Sequence, residues 1–357
     1  DVKRINREAV FANLPGICQS DLMPEIREQI AQTNAKVIVL DDDPTGTQTV
    51  HDVTVLTTWT VAALQNALTA EAPAVFILTN TRSMTAFWTE KVNHEIAENL
   101  KIVSQKIGRD FVIVSRSDST LRGHFPLETD ALAKTMQLSP DAVLVVPAFM
   151  AGGRYTINGV HYVADGDEVI PASETAFAQD AAFGYQNSDL RYWVAEKTDN
   201  SVNPDEVEVI KIDEIRRGGV ERVKLRLLKL ENNTYCAIDA ITERDIEVVT
   251  LAILQAETEG KRFLYRTAAS FAAIRAGISL RSPLSSEELQ TNRSGGGLII
   301  VGSYVPKSSS QLANLLESKQ VVGLEVNVRR LLNSDSKLIE IARIVENASP
   351  LLQSNIN

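Results

Sequence analysis

Val37-Ile38-Val39-Leu40-Asp41-Asp42-Asp43-Pro44-Thr45-Gly46 decides how this chain is read, because four apolar residues break abruptly into three carboxylates, a proline and a glycine. A short apolar run bounded by turn residues is the pattern of a buried strand in an α/β sheet. The acids then sit just past its carboxyl end, where open α/β sheets bind ligands. Adjacent carboxylates repel one another and stay together only where a cation, a basic side chain or a proton-accepting task stabilises them. The alternative is an acidic turn that faces water.

The pattern recurs. Phe111-Val112-Ile113-Val114 runs into Ser115-Arg116-Ser117-Asp118-Ser119-Thr120-Leu121-Arg122-Gly123-His124, directly before an amphipathic helix marked by Phe125, Leu127, Ala131, Leu132 and Met136. Two guanidinium forks, several hydroxyls and helix N-terminal amides suit a carboxylate or phosphate. A helix cap would explain one of those hydroxyls but neither arginine. Further apolar runs at 53–56, 74–78, 142–146, 207–212, 235–238 and 263–265 alternate with helical segments at 60–68, 85–107, 219–230 and 242–257. Strands alternating with helices predict an α/β fold, a mostly parallel sheet with helices on both faces. Residues 155–163 alternate about Asn158-Gly159 instead, a β-hairpin on that sheet.

These segments resemble the four-carbon acid sugar kinase family. The resemblance rests on Asp42-Asp43-Pro44-Thr45-Gly46, Asn80-Thr81-Arg82-Ser83, Ser115 through Gly123, and Gly153-Arg154-Tyr155-Thr156-Ile157-Asn158-Gly159-Val160-His161-Tyr162. It continues through Glu174 to Asp180, Ser188-Asp189-Leu190-Arg191, Leu264 through Phe271, and Val301-Gly302-Ser303-Tyr304-Val305-Pro306, in order from about residue 37 to about 330. The resemblance implies phosphorylation, with ATP and Mg²⁺, of a terminal hydroxyl on threonate, erythronate or a 3-oxo relative. It also implies an N-terminal substrate domain and a C-terminal nucleotide domain. The expected layout is a helical extension (1–36), a substrate domain (37–284), a polar and glycine-rich linker (285–297) and part of an α/β nucleotide domain (298–357), with strands at 298–301 and 321–326 and helices at 308–316 and 337–347. The family's Gly-Gly-x-Thr/Ser loop and Phe-Pro-Gly turn do not occur before Asn357, so a truncated nucleotide domain is expected.

Phosphoryl transfer to an alcohol requires a group that orients the hydroxyl and takes its proton, shielding of the phosphate charge, and exclusion of water. Asp43 or Asp118 is the expected base, and either carboxylate is equally suited to Mg²⁺ or to substrate hydroxyls; no metal ligands are assigned. Arg116 and Arg122 are expected to grip the substrate carboxylate and Ser119 and Thr120 its hydroxyls. Asp42, Thr45, Gly46, Arg82, Arg154 and His161 complete the expected substrate site, His161 alternatively being a histidine that satisfies only its own hydrogen bonds. Gly302 and Ser303 resemble the family's nucleotide loop. Two other readings stay open: a haloacid dehalogenase-like phosphatase with Asp41 and Asp43 in its Asp-x-Asp-x-Thr motif, and a sugar-acid-binding protein that has lost catalysis.

A net charge of −10 argues against nucleic acid or an anionic membrane as partner. An acidic protein that handles anions must concentrate its arginines locally. No apolar stretch approaches the roughly 20 residues that cross a bilayer, and no apolar segment follows the early charges of a signal sequence. Cys18 and Cys236 are the only cysteines and lack metal-ligand spacing, the usage of a reduced cytoplasmic protein. The apolar face of residues 2–30 packs either on its own chain or on a partner, so a homodimer is among the expectations.

Overall fold

The computed structural model describes residues 4–33, 35–279, 281–282, 284–285, 287–289, 296–303, 305–318 and 321–353, in two units, Asp1–Arg281 and Ser282–Asn357. The strands of the first unit are β1 (Ile5–Asn6), β2 (Lys36–Asp41), β3 (Thr54–Leu56), β4 (Ala74–Leu78), β5 (Phe111–Arg116), β6 (Ala142–Val146), β7 (Arg154–Ile157), β8 (Val160–Asp165), β9 (Glu168–Pro171), β10 (Glu208–Ile210), β11 (Thr234–Ile238) and β12 (Phe263–Thr267). Its helices are α1 (Arg7–Ala12), α2 (Met23–Gln32), α3 (Val61–Thr69), α4 (Ala86–Ile107), α5 (Leu127–Met136), α6 (Leu190–Lys197), α7 (Ile212–Leu227), α8 (Glu243–Thr258) and α9 (Ala269–Arg275).

The predicted apolar runs pair into one eight-stranded parallel sheet, ordered β10-β11-β6-β12-β5-β2-β4-β3. The six inner runs are apolar throughout because successive side chains enter opposite helical layers, whereas the edge strands β10 and β3 carry Glu208 and Thr54. Val37 and Val39 of β2 join Ala74 and Phe76 of β4 in a core with α2, α7, α8 and α9. Ile38 and Leu40, the alternate residues, join Val75 and Ile77 under α3 and α4. Toward the other edge, Val143, Val145 and Ala237 meet Trp193 of α6. α7 bends at Gly219, whose φ of 61° lies in the left-handed region, which is why the sequence pattern picks out only its second half.

A four-stranded antiparallel sheet, β1-β9-β8-β7, stands beside the parallel one. Its β7–β8 hairpin turns at Asn158 (φ 51°) and Gly159 (φ 80°), the backbone that a tight hairpin requires and that Asn-Gly supplies. The carboxylate of Asp239, just past β11, accepts hydrogen bonds from the amides of Asn158 at 2.6 Å, Gly159 at 2.9 Å and Ile212 at 2.9 Å. That one side chain fastens the hairpin to the end of the parallel sheet. The N-terminal segment is more than helical, since β1 pairs with β9, and a two-residue strand has no local periodicity by which a sequence would reveal it.

Among its described residues the second unit has three helices, α10 (Pro306–Leu316), α11 (Val328–Leu332) and α12 (Ser334–Gln353). Residues 298–301 and 321–326, expected as strands, belong to no strand. Ile300 is 84 % exposed there. An apolar run becomes a strand only when a neighbour accepts its ladder, and among the described residues none does. Residues 286 and 290–295 of the expected linker lie outside the described residues.

Candidate functional site

β4 and β5 flank β2 on opposite sides, so the loops leaving β2 and β5 meet where the chain's crossovers reverse direction. Register aligns them directly: Asp41 pairs with Arg116, and the Asp42 amide donates to the Arg116 carbonyl. The loop after β4 joins from the other side, the Arg82 amide bonding to the Asp42 carbonyl at 3.1 Å. Three stretches separated by about 40 residues each in sequence thus form one polar cluster at the carboxyl edge of the sheet.

Arg82 is its hub. Nε and Nη2 clasp Asp42 at 3.0 and 2.5 Å, while Nη1 lies 2.5 Å from Asp43 and 3.8 Å from Asp118. Arg116 aims Nη1 at Asp41 (3.2 Å), Asp43 (3.7 Å) and Asp42 (4.0 Å). Arg122 donates from Nε to Asp118 at 2.7 Å, stands 3.4 Å from Asp180 and lies over the Phe177 ring. The arginines expected to hold a substrate carboxylate therefore already hold carboxylates of the protein. Arg154 differs: it also faces Phe177 and donates to the Gly152 carbonyl, but its buried Nε has no partner and no acid pairs with it among the described residues.

These contacts set the charge states. Burial resists ionisation of Asp118, yet Arg82 and Arg122, with hydrogen bonds from Arg122 and Thr120, hold its carboxyl well below the usual range. Burial likewise opposes ionisation of Asp43, but Arg82 and the Thr45 amide and hydroxyl, both on Oδ1, bring it below its ordinary value. Asp41 goes the other way: burial, only partly offset by Arg116, pushes it up to about 7. Asp42 is also raised by burial, against the pull of Arg82. Asp43 is the most accessible of the three adjacent acids, its side chain 18 % exposed against 2–3 % for the other two.

Close packing explains the two glycines of these loops. A Cβ on Gly46 would fall 1.7 Å from both carboxylate oxygens of Asp41. Gly123, at φ 120°, passes so near Asp42 that a Cβ would lie 3.3 Å from Oδ2. Buried Leu121 holds a φ of 68°, a left-handed backbone that costs about 1 kcal/mol or more in a residue with a side chain.

The expected site residues fall into three groups. Asp42, Asp43, Thr45, Gly46, Arg82, Arg116, Asp118, Thr120 and Arg122 come together in the cluster, with Ser119 in the same loop and Arg154 across Phe177. His161 is fully buried and faces no open space: Nε2–H donates to the Ser119 carbonyl at 2.7 Å and Nδ1 accepts from Thr156 at 3.0 Å. Burial lowers it to about 4, so it is neutral and braces the arginine loop. Gly302 and Ser303 are exposed, no atom lies within 4 Å of the Gly302 Cβ direction, and no phosphate cradle is formed around them by the described residues. Nor do those residues contain three or more His, Cys, Asp or Glu side chains grouped to hold a metal.

Sequence reading missed the layer beneath. Arg266 of β12 is fully buried, donates from Nη2 to the carbonyls of Asp118 and Arg122 at 2.9 and 3.1 Å, and stacks on Trp193. Glu128 accepts from Thr81 at 2.6 Å and from Ser117 at 3.4 Å, tying the β4 and β5 loops together. A charged residue inside the apolar run Phe263–Thr267 was the available signal for Arg266. Glu128 offered none, because acids are ordinary in the first turn of a helix.

A family model described as a sugar-binding N-terminal domain matches residues 37–275. In fold the chain is similar to a Bordetella bronchiseptica protein, a domain of unknown function with bound citrate and a domain-swapped dimer (TM-score 0.50, 22 % identity, covering 68 % of this chain and 56 % of that one). It is also similar to a Salmonella typhimurium LT2 protein (TM-score 0.56, 19 % identity, 87 % and 71 % covered). A Haemophilus influenzae protein of the same unknown-function family is a third (TM-score 0.52, 17 % identity, 89 % and 72 % covered). The match spans just over half the length of the Bordetella protein, and at these identities the likeness is one of fold. No curated protein matches the chain significantly. Among the described residues no helix is long and apolar enough to cross a membrane.

Proposed function

Because the chain belongs to the four-carbon acid sugar kinase family, through a sugar-binding N-terminal domain over residues 37–275, we propose that it phosphorylates a terminal hydroxyl of a four-carbon sugar acid. The observation that carries this reading is the convergence of Arg82, Arg116, Arg122 and Arg154 with Asp43 and Asp118 at one edge of the sheet of an otherwise acidic protein. The substrate is a polyol carboxylate, and such a cluster offers guanidinium donors to its carboxylate and carboxylate acceptors to its hydroxyls. Citrate bound to the Bordetella relative is itself a hydroxy acid.

Asp43 is the proposed base. It is ionised and the most accessible of the three adjacent acids, and its Oδ1 is pinned by the Thr45 amide and hydroxyl at 2.7 and 2.6 Å, so the carboxylate is fixed before substrate arrives. Asp118 is clasped by Arg122 and Thr120 and serves to orient the arginines; Arg122 and Arg154, both on Phe177, receive the substrate carboxylate. In this reading ATP with Mg²⁺ supplies the phosphoryl group. The described residues of the second unit do not fit a triphosphate, so the contribution assigned to this chain is confined to the acceptor. A homodimer is proposed by likeness to the Bordetella protein.

The phosphatase reading requires Asp41 as a nucleophile, and its carboxylate is buried against Gly46. The test is a screen of ATP consumption across four-carbon sugar acids, paired with calorimetric titration of each acid alone. Turnover with one stereoisomer supports the kinase; binding without turnover in the intact gene product supports a binding protein; neither would sink the reading.

A further inference from the structure

Between β9 and α6 the chain folds a short loop against the arginines. Its neck closes where the Tyr185 amide donates to the Ala178 carbonyl at 3.2 Å, both residues being buried. Lys197 of α6 donates to the Gly184 carbonyl at 2.6 Å, and a Cβ on Gly184 would lie 2.8 Å from the Asp180 carbonyl oxygen. Phe183 meets the His124 ring edge-on at 4.8 Å, and Phe177, just before the neck, faces the guanidinium groups of Arg122 and Arg154. Compact surface loops of this kind, packed by their own side chains, commonly carry functional groups.

The loop holds one carboxylate in place. Oδ1 of Asp180 accepts from the amides of Ala182 at 2.9 Å and Phe183 at 3.0 Å, which satisfies the turn and fixes the carboxyl group. Oδ2 is left facing Arg122, 3.4 Å from Nη1, and has no other donor among the described residues. Charge-assisted N–H···O bonds at full strength are about 2.7–2.9 Å long, so it is the loop that places Oδ2, while Arg122 is clasped to Asp118 through Nε at 2.7 Å. Nη2 of Arg122 has no acceptor among the described residues. The side chains of Arg122 and Asp180 are 21 % and 24 % exposed, so a ligand reaches both. Burial opposes the ionisation of Asp180, but the two amides and Arg122 bring it below its ordinary value. An anion with a free acceptor edge thus stands beside a cation with a free donor edge.

A donor and an acceptor held side by side match a ligand that offers an acceptor and a donor on adjacent carbons. A carboxylate with a hydroxyl on the neighbouring carbon is such a ligand. A 2-deoxy acid would leave Oδ2 unpaired, and a 2-oxo acid would set an oxygen against it with no proton between them, a loss that sites built around a hydroxyl turn into selectivity. Building on the reading that Arg122 and Arg154 receive the substrate carboxylate, we propose that Asp180 is a specificity-determining residue: its Oδ2 accepts the hydroxyl next to that carboxylate, so the site takes 2-hydroxy acids and discriminates against their 2-deoxy and 2-oxo counterparts.

Calorimetric titration of the full chain without nucleotide tests this, with threonate and erythronate set against 3,4-dihydroxybutanoate, which lacks only the hydroxyl next to the carboxylate. The parent should bind the better of the two tetronates at least about tenfold more tightly than the deoxy acid. Asp180→Asn keeps an oxygen for the Ala182 and Phe183 amides and replaces Oδ2 with an NH₂ group; its ratio should fall below about threefold through weaker tetronate binding. The deoxy acid, which makes no use of Oδ2, should bind the variant no more weakly than the parent, which shows the loop and the arginines to be in place. Equal binding of the two acids by the parent, a parental ratio in Asp180→Asn, or loss of both acids together in the variant would each overturn the proposal. Binding of neither acid by the parent would overturn it along with the acceptor site itself, whereas the expected ratios without ATP turnover would support it and count against the kinase alone.

Discussion

Arg82→Met removes the hub of the acidic cluster while keeping the volume of an unbranched chain. Arg82 stands 2.5 Å from Asp42, 2.5 Å from Asp43 and 3.8 Å from Asp118, and its side chain is only 16 % exposed. At an effective dielectric constant of about 20, opposite unit charges about 4 Å apart attract by about 4 kcal/mol, and removing one partner of a buried pair costs about 3–5 kcal/mol. Arg116 still faces Asp43 and Arg122 still clasps Asp118, so the expected loss lies at the lower end, about 3 kcal/mol. The pH dependence follows from the sign of the shifts. With Arg82 present, Asp43 and Asp118 are held below their ordinary values, which adds stability above the unfolded carboxylate range and loses it as pH falls through the folded values. Without Arg82, burial prevails and the folded carboxyls rise above their unfolded values, a penalty that exists only once pH exceeds the unfolded range. The difference between variant and parent should therefore be largest at neutral pH and shrink toward about pH 4. Urea denaturation of both proteins at about pH 7.5 and about pH 4.5 measures it. A neutral-pH loss below about 1 kcal/mol, the range of solvated surface pairs, or an equal loss at both pH values, would refute the claim that Arg82 neutralises buried acids.

Gly46→Ala drives a methyl group into the Asp41 carboxylate, which Arg116 holds in place; overpacking at such a site costs about 1–3 kcal/mol, and Gly46→Ala/Asp41→Ala should recover most of it in the same melt. His161 is lowered by burial to about 4 in the folded chain, so its contribution is complete above the unfolded value of about 6.5 and drains away as pH falls toward 4; the parent should lose stability over that window relative to His161→Gln, and parallel pH profiles would disprove it. Asp43→Asn should leave the protein folded, with a lower denaturation midpoint because the pairing with Arg82 is lost, and lower phosphorylation by about a hundredfold or more, read as initial rate under conditions where the denaturation curve shows the variant fully native.

The strands were legible because burial on both faces leaves a mark in every residue of a run: 74–78 and 142–146 coincide with β4 and β6. The hairpin was equally plain, since Asn158-Gly159 meets a backbone demand at a single turn. The acids after β2 and the arginines after β5 could be picked out as unusual company, and parallel α/β logic placed both at one edge. Pairing was a different matter. No local pattern says that Arg82 joins Asp42 and Asp43, that Arg266 supports the Asp118 loop from below, or that His161 turns inward to Ser119. Those are contacts between residues 40 to 150 positions apart, and strand order and register select them. Sequence alone determined which residues are apolar, where turns fall and which polar groups cluster at strand ends, because each is a property of a short segment. The tertiary structure decided which guanidinium meets which carboxylate, and hence which acids are charged, because desolvation and Coulomb energy depend on neighbours that only the assembled sheet supplies.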